Sequence, residues 1–152
     1  MPTLSNGRFD LIIYIVKDMY ESVTIAIRFF RTAAGNTPVL DFVAALPEEQ
    51  QGTFMAMVRE IEANGLDHVD HKHIRGKLDE LRPDQNRYFY VLYTVMPDNF
   101  LCFLHAYKKQ SRKAPPHEIE LAEKRAEALL EAIKPEQKAA KEKSEKEAKR
   151  KK

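Results

Sequence analysis

Residues 77–113 read KLDELRPDQNRYFYVLYTVMPDNFLCFLHAYKKQSRK, and the punctuation of this stretch decides the fold. Residues 87–95 and 99–108 are rich in aromatic and β-branched side chains. Between them stand Met96, Pro97 and Asp98, a turn whose proline cannot donate to a ladder. The two runs read as a β-hairpin, and residues 78–81 as a strand before it. A period of two along the last strand puts Leu101, Phe103, His105 and Tyr107 on one face and Cys102, Leu104, Ala106 and Lys108 on the other.

On the N-terminal side a polar loop holds His68, Asp70, His71 and His73. Before it, Val39, Phe42, Val43 and Leu46, then Phe54, Met57, Val58 and Ile61, each sit at i, i+3, i+4 and i+7. These are the core stripes of two helices. Thr37 and Pro38 supply an N-cap and a first-position proline for the first, and Pro47 interrupts it; Glu48 and Glu49 open the second, and Asn64-Gly65 stop it. Residues 23–30 read as a strand that ends in the turn cluster Ala33-Ala34-Gly35-Asn36. On the C-terminal side, Pro115-Pro116 precede a helix with Ile119, Ala122, Ala126, Leu129, Leu130 and Ile133 on one face, expected to end near Pro135. The order β-α-α-β-β-β-α is that of a small α+β domain: an antiparallel-rich sheet with a helical hairpin and a C-terminal helix. The reading divides the chain into a peripheral segment over residues 1–21, the domain over 22–133, and a lysine-rich tail over 134–152, either disordered or a solvated helix.

The chain has 152 residues, of which 43% are hydrophobic and 32% charged, enough for one core and one solvated segment. From Lys134 onward nine basic side chains face four acids, a net of +5; the whole chain is +2, which leaves −3 on residues 1–133. The basic pI of 8.6 therefore belongs to the tail. Within the acidic body, nine basic residues against four acids between Lys72 and Lys113 give a local +5, which points to an anionic partner there. The single Cys102 and the absence of a leader pattern suggest a reducing, cytoplasmic setting, and no apolar run approaches the ~18 residues needed to span a bilayer. Phosphate-loop, G-x-S-x-G, H-E-x-x-H and C-x-x-C patterns are all missing. The loop histidines lack a cysteine partner or an i, i+4 histidine pair, so no metal site and no cofactor is expected.

What remains is the basic and aromatic material on the hairpin and the strand before it: Lys77, Glu80, Arg82, Arg87, Tyr90, Tyr93, His105, Tyr107, Lys108 and Lys109. Three consecutive strands can converge these on one surface. When a ribose 2′-oxygen attacks its neighbouring phosphate, charge builds on the nonbridging oxygens, and preorganised arginine and lysine stabilise it there, arginine with a bidentate fork. Glu80, or a tyrosine or lysine of shifted pKa, can move protons. Tyr90 and Tyr93 read better as packing residues. His105, flanked by apolar residues, is as readily a hydrogen-bonded structural histidine as a site residue. A noncatalytic RNA- or ribosome-binding module, or a dock for an acidic protein, would use the same surface.

Gly35-Asn36-Thr37-Pro38-Val39 before a short helix, Lys77-Leu78-Asp79-Glu80-Leu81-Arg82, Arg87-Tyr88-Phe89-Tyr90, and the run from Leu104-His105-Ala106-Tyr107-Lys108-Lys109 through Arg112-Lys113-Ala114-Pro115 to Glu118, Ala122 and Arg125 resemble the RelE/HigB-like toxins of bacterial type II toxin–antitoxin modules, most closely their phage-derived branch. Ala106 stands where that pattern usually has glycine, and Tyr107 where it has phenylalanine. The resemblance implies a RelE-like fold and a metal-independent endoribonuclease that cuts mRNA on the ribosome and inhibits translation. It also implies neutralisation by a cognate helix-turn-helix antitoxin, through which alone operator DNA would be met. Carried over by position, Arg82, Arg87, Lys108 and Lys109 would bind and stabilise the scissile phosphate, Glu80 would orient Arg82 or handle a proton, and Tyr107 or His105 rank second. Joined with the basic stretch, this makes Arg82, Arg87, Lys108, Glu80 and Tyr107 the expected catalytic residues and Lys109, Lys77, His105, Arg112 and Lys113 the expected substrate-binding ones.

Overall fold

The computed structural model describes residues 24–150. The segment read as peripheral, residues 1–21, lies outside them. Five strands, β1 (Ile25–Phe29), β2 (His71–Arg75), β3 (Leu78–Leu81), β4 (Asn86–Val95) and β5 (Asp98–Lys108), and three helices, α1 (Pro38–Ala44), α2 (Glu48–Asn64) and α3 (Pro116–Arg150), follow one another as β-α-α-β-β-β-β-α. The sheet order is β1-β5-β4-β3-β2, with β1 parallel to β5 and every other pair antiparallel. This is a small α+β architecture consistent with a RelE-like fold.

The one added element is β2, in the stretch read as a polar loop. Its residues His71, Lys72, His73 and Arg75 are all exposed, so it lies on the sheet edge with no apolar alternation to announce it. It is held by pairing with β3, by a His73–Asp79 contact of 2.7 Å and by an Arg75–Glu123 ion pair to α3.

The sheet has two covered faces. The α1–α2 hairpin packs Val39, Val43, Phe54, Val58 and Ile61 against Phe29, Leu81, Tyr88, Tyr90, Leu101 and Phe103. Aromatic rings dominate that core, with Phe54 4.9 Å from Tyr88 and 5.4 Å from Phe103. Helix α3 lays Ala122, Ala126 and Ile133 over Phe89, Val91, Tyr93, Cys102 and Leu104. Pro38 opens α1 as expected, although the Thr37 hydroxyl makes no capping bond. Gln51 joins the hairpin instead, its amide donating to the Ala44 and Leu46 carbonyls at 3.1 and 3.0 Å. Gly65, at φ 78, ends α2 in a conformation that a Cβ resists.

Two expectations from the sequence need correction. Helix α3 does not stop near Pro135 but runs through it to Arg150. Proline removes one donor, yet Gln137 donates to the Thr94 carbonyl at 2.7 Å and Ala140 packs against the α3-side core, which holds the following turns on the sheet. The face assignment on β5 also changes. His105 pairs with Phe89 and Phe103 with Tyr90, so Leu104 is an extra, unpaired residue. Past this bulge the parity flips: Leu101 and Phe103 face the α1–α2 hairpin, whereas Tyr107 belongs to the α3 side and His105 bonds to that helix.

Candidate functional site

Register builds the site. Across the sheet, Lys72 pairs with Glu80, Glu80 with Phe89 and Phe89 with His105, one row on the α3 face. In the adjacent row Arg87 pairs with Tyr107; Arg82 follows Leu81 and Arg87 precedes Tyr88, the last pair of the β3–β4 ladder, so the two arginines flank the same end of it. Three of the five expected catalytic residues, Glu80, Arg87 and Tyr107, therefore share one end of one face, and Arg82 lies just past the end of β3 beside them.

The electrostatics of this corner are lopsided. Arg87 is half-buried. Its Nη1 donates to the Asp84 carbonyl and, at 3.2 Å, to the Asn86 carbonyl, while its buried Nε has no acceptor. Backbone carbonyls thus aim the guanidinium without neutralising it. Neither Arg82 nor Arg87 has a carboxylate partner among the described residues. Glu80, 5% exposed, instead accepts the Tyr107 hydroxyl at 3.4 Å. Burial, reinforced by Glu80, pushes the Tyr107 phenol up to about 12, so near neutral pH it is a hydrogen-bond donor and not a phenolate base.

His105 is bound on both ring nitrogens. Nε2 meets Glu118, and Nδ1 lies 3.3 Å from Arg125 Nη1. The ring stacks on Phe89 and Tyr107, with centroids 6.3 and 6.4 Å away. Burial lowers its pKa against the pull of Glu118, with Arg125 and His117 adding to the lowering. Its place is at the site and its contacts are structural.

Other expected residues lie elsewhere. Lys108 pairs with Asn86 beyond Ala106, which faces the α1–α2 hairpin; alternation puts the exposed Lys108 on that face, opposite Tyr107. Lys109 follows at the same end, its N–H bonded to the Gln85 carbonyl. Lys77 sits in the β2–β3 turn, at the far end of β3 from Arg82 and about 16 Å away along the strand. Arg112 and Lys113 are exposed on the β5–α3 loop. Tyr90 and Tyr93 are buried in the two cores. The register adds one cation that the strand reading missed: Lys72, across from Glu80 on β2 and without an ion-pair partner among the described residues. Only recognition of β2 as a strand could have brought it to this face. Among the described residues no cluster of three or more histidine, cysteine or acidic side chains could hold a metal.

Such a corner offers an anion two or three cations, one buried carboxylate and a neutral phenol, with Phe89 and Tyr107 as stacked rings beside them. Residues 41–127 match the model of a family described as phage-derived protein Gp49-like (DUF891). No curated protein matches the chain.

Proposed function

Because the chain belongs to the Gp49-like phage-derived family, whose context is that of RelE/ParE-like toxin–antitoxin modules, we propose that it is the toxin of such a module. In this reading it is a metal-independent endoribonuclease that cuts mRNA on the ribosome. One observation carries the reading: two arginines flank the last pair of the β3–β4 ladder, neither answered by a carboxylate among the described residues, and one has a buried donor left open. Neighbouring like charges repel, and a phosphodiester held between them removes that cost.

The chemistry follows from the positions. The 2′-oxygen attacks phosphorus as the bond from phosphorus to the 5′-oxygen breaks. Arg82 and Arg87 hold the nonbridging oxygens, whose charge rises most in the transition state. The 2′-hydroxyl proton moves to Glu80 through Tyr107, which passes on its own proton as it accepts the new one. The 5′-oxygen takes a proton from solvent. The products are a 2′,3′-cyclic phosphate and a 5′-hydroxyl. Lys72 and Lys109 bind flanking phosphates. A cognate antitoxin would oppose this activity in the cytoplasm.

The test is to map message ends in a reconstituted translation reaction with wild type, Arg82→Ala, Arg87→Ala and Lys108→Ala. Cyclic-phosphate ends are expected from wild type, with a loss of about 10²–10³-fold for either arginine variant and a smaller loss for Lys108→Ala, whose side chain leaves from the other face. RNA binding without new ends would overturn the nuclease reading in favour of a noncatalytic binding module.

A further inference from the structure

Strand β5 carries one residue too many for its partner, and that residue is Leu104. An unpaired bulge residue needs a new partner for its backbone. Here the Leu104 carbonyl accepts Arg125 Nη1 at 2.9 Å, and the same nitrogen reaches His105 Nδ1 at 3.3 Å. A guanidinium can only donate. His105 Nδ1 must therefore be the bare nitrogen of the ring, and Nε2 carries the hydrogen that goes to Glu118. Arg125 and Glu118 stand seven residues apart, two turns along α3, so both address the same strand. The guanidinium itself is fixed from behind, its carbon 5.8 Å from the centre of the Phe30 ring.

We propose that Arg125 is a positioning residue that clamps the Leu104 bulge and the tautomer of His105, and so sets the plane of Tyr107 without touching RNA. The chain of contacts is short. His105 is pinned from both ring nitrogens, and Tyr107 stacks on it at an interplanar angle of 15° and on Phe89 at 21°. The Tyr107 hydroxyl then meets Glu80. Without the fork, His105 can rotate or exchange tautomers, and the phenol loses one wall of its slot. Lysine has charge and reach but no rigid planar fork to bridge a carbonyl and a ring nitrogen together.

This inference rests on the nuclease reading for its consequence but not for its test. The intact chain, labelled with 15N at histidine, is compared with Arg125→Lys and Arg125→Leu, with the His105 signals assigned through His105→Asn. In wild type at neutral pH the His105 signals should show the neutral ring with hydrogen on Nε2. Both variants should show mixed tautomers, and in Arg125→Leu the His105 pKa should also move upward, since Glu118 still faces the ring while the Arg125 charge is gone; His117 and Tyr107 are unchanged. In cleavage of ribosome-bound message, kcat should fall by about 10–100-fold with KM within about twofold, because the phosphate-binding arginines are untouched. A folded variant that keeps the wild-type tautomer, or loses it with kcat unchanged, overturns the proposal. If Arg125→Leu does not fold, Arg125→Lys decides alone: keeping both tautomer and kcat would overturn the proposal, because charge without the fork would suffice. If wild type cuts no RNA the nuclease reading fails, and the tautomer comparison alone upholds or overturns the clamp.

Discussion

At the residue scale the site is an electrostatic compromise, and its two arginines make that measurable. Removing one of two neighbouring like charges should help the fold while harming the proposed chemistry. Arg82→Gln is expected to raise stability by about 0.2–1 kcal/mol, less at high salt, and to lower cleavage by at least about 10²-fold. Urea titrations beside single-turnover rates check both halves. An Arg82 that merely stabilised the fold would move both in the same direction. Glu62 supplies a second test. Burial raises its pKa from 4.5 to about 7, against the neighbouring Arg59, and its buried Oε1 has no protein partner. A carboxyl raised in the folded state favours folding below its unfolded value, and that benefit is lost as pH climbs through the folded one. Stability should therefore fall between pH 4.5 and about 7. Glu62→Gln should flatten this slope, gaining about 1–2 kcal/mol at pH 8 relative to pH 5 after allowance for partial exposure, as read from melts at the two values. Charge and residue type singled out Glu80, Arg82, Arg87 and Tyr107 as candidates from the sequence. That both nitrogens of His105 are occupied was not legible, because its partners Glu118 and Arg125 lie 13 and 20 residues away on another element.

At the scale of elements, what failed in the sequence reading failed for identifiable reasons. Helices α1 and α2 carry their burial in a 3.6 period, so their stripes were readable residue by residue, whereas β4 and β5, buried on both faces, were announced by their aromatic and β-branched composition and the turn between them. Edge strand β2 buries almost nothing, and period had nothing to count. The bulge is worse for such a reading: a single inserted Leu104 leaves composition untouched yet shifts the parity of everything after it, moving His105 and Tyr107 to the face opposite Leu101 and Phe103. Pro135 misled in the other direction. A proline is a strong local signal, but Gln137 and Ala140 hold the helix beyond it onto the sheet. The proline should still weaken its own stretch. Pro135→Ala is expected to slow hydrogen exchange across residues 136–146 by a factor equivalent to as much as ~3 kcal/mol of local opening, with little change in the exchange of β4. Equal slowing throughout would mean that the helix end opens only with the whole domain.

At the scale of the molecule, the two basic regions sit at opposite ends of α3. Glu118 stands beside His105 at the site, whereas Gln137 reaches Thr94 near the far end of β4, nineteen residues and about 28 Å along the helix axis. Residues 141–152 hold seven basic side chains and three acids, a net of +4, so residues 1–140 carry −2. Ordinary salt screens charge beyond about 8 Å, so this end cannot stabilise a phosphate held between Arg82 and Arg87. It can hold only distant phosphates of a long polyanion. A chain ending at Ala140 keeps Ile133, Gln137 and Ala140 in their contacts, and should melt within about 2 °C of the full chain. Its RNA affinity should fall, and the slope of log affinity against log salt should become shallower by up to about 3, the contribution of four phosphate contacts on a single strand. Its single-turnover cleavage rate at saturating substrate should stay within about twofold. A chain ending at Ala132 instead loses the buried Ile133 and both later anchors, and should lose about 2–4 kcal/mol of stability. Should the Ala140 chain keep its melting point but lose turnover at saturation, the lysine-rich end would have to reach the reacting phosphate, and the division between a chemical pole and a holding pole would be wrong.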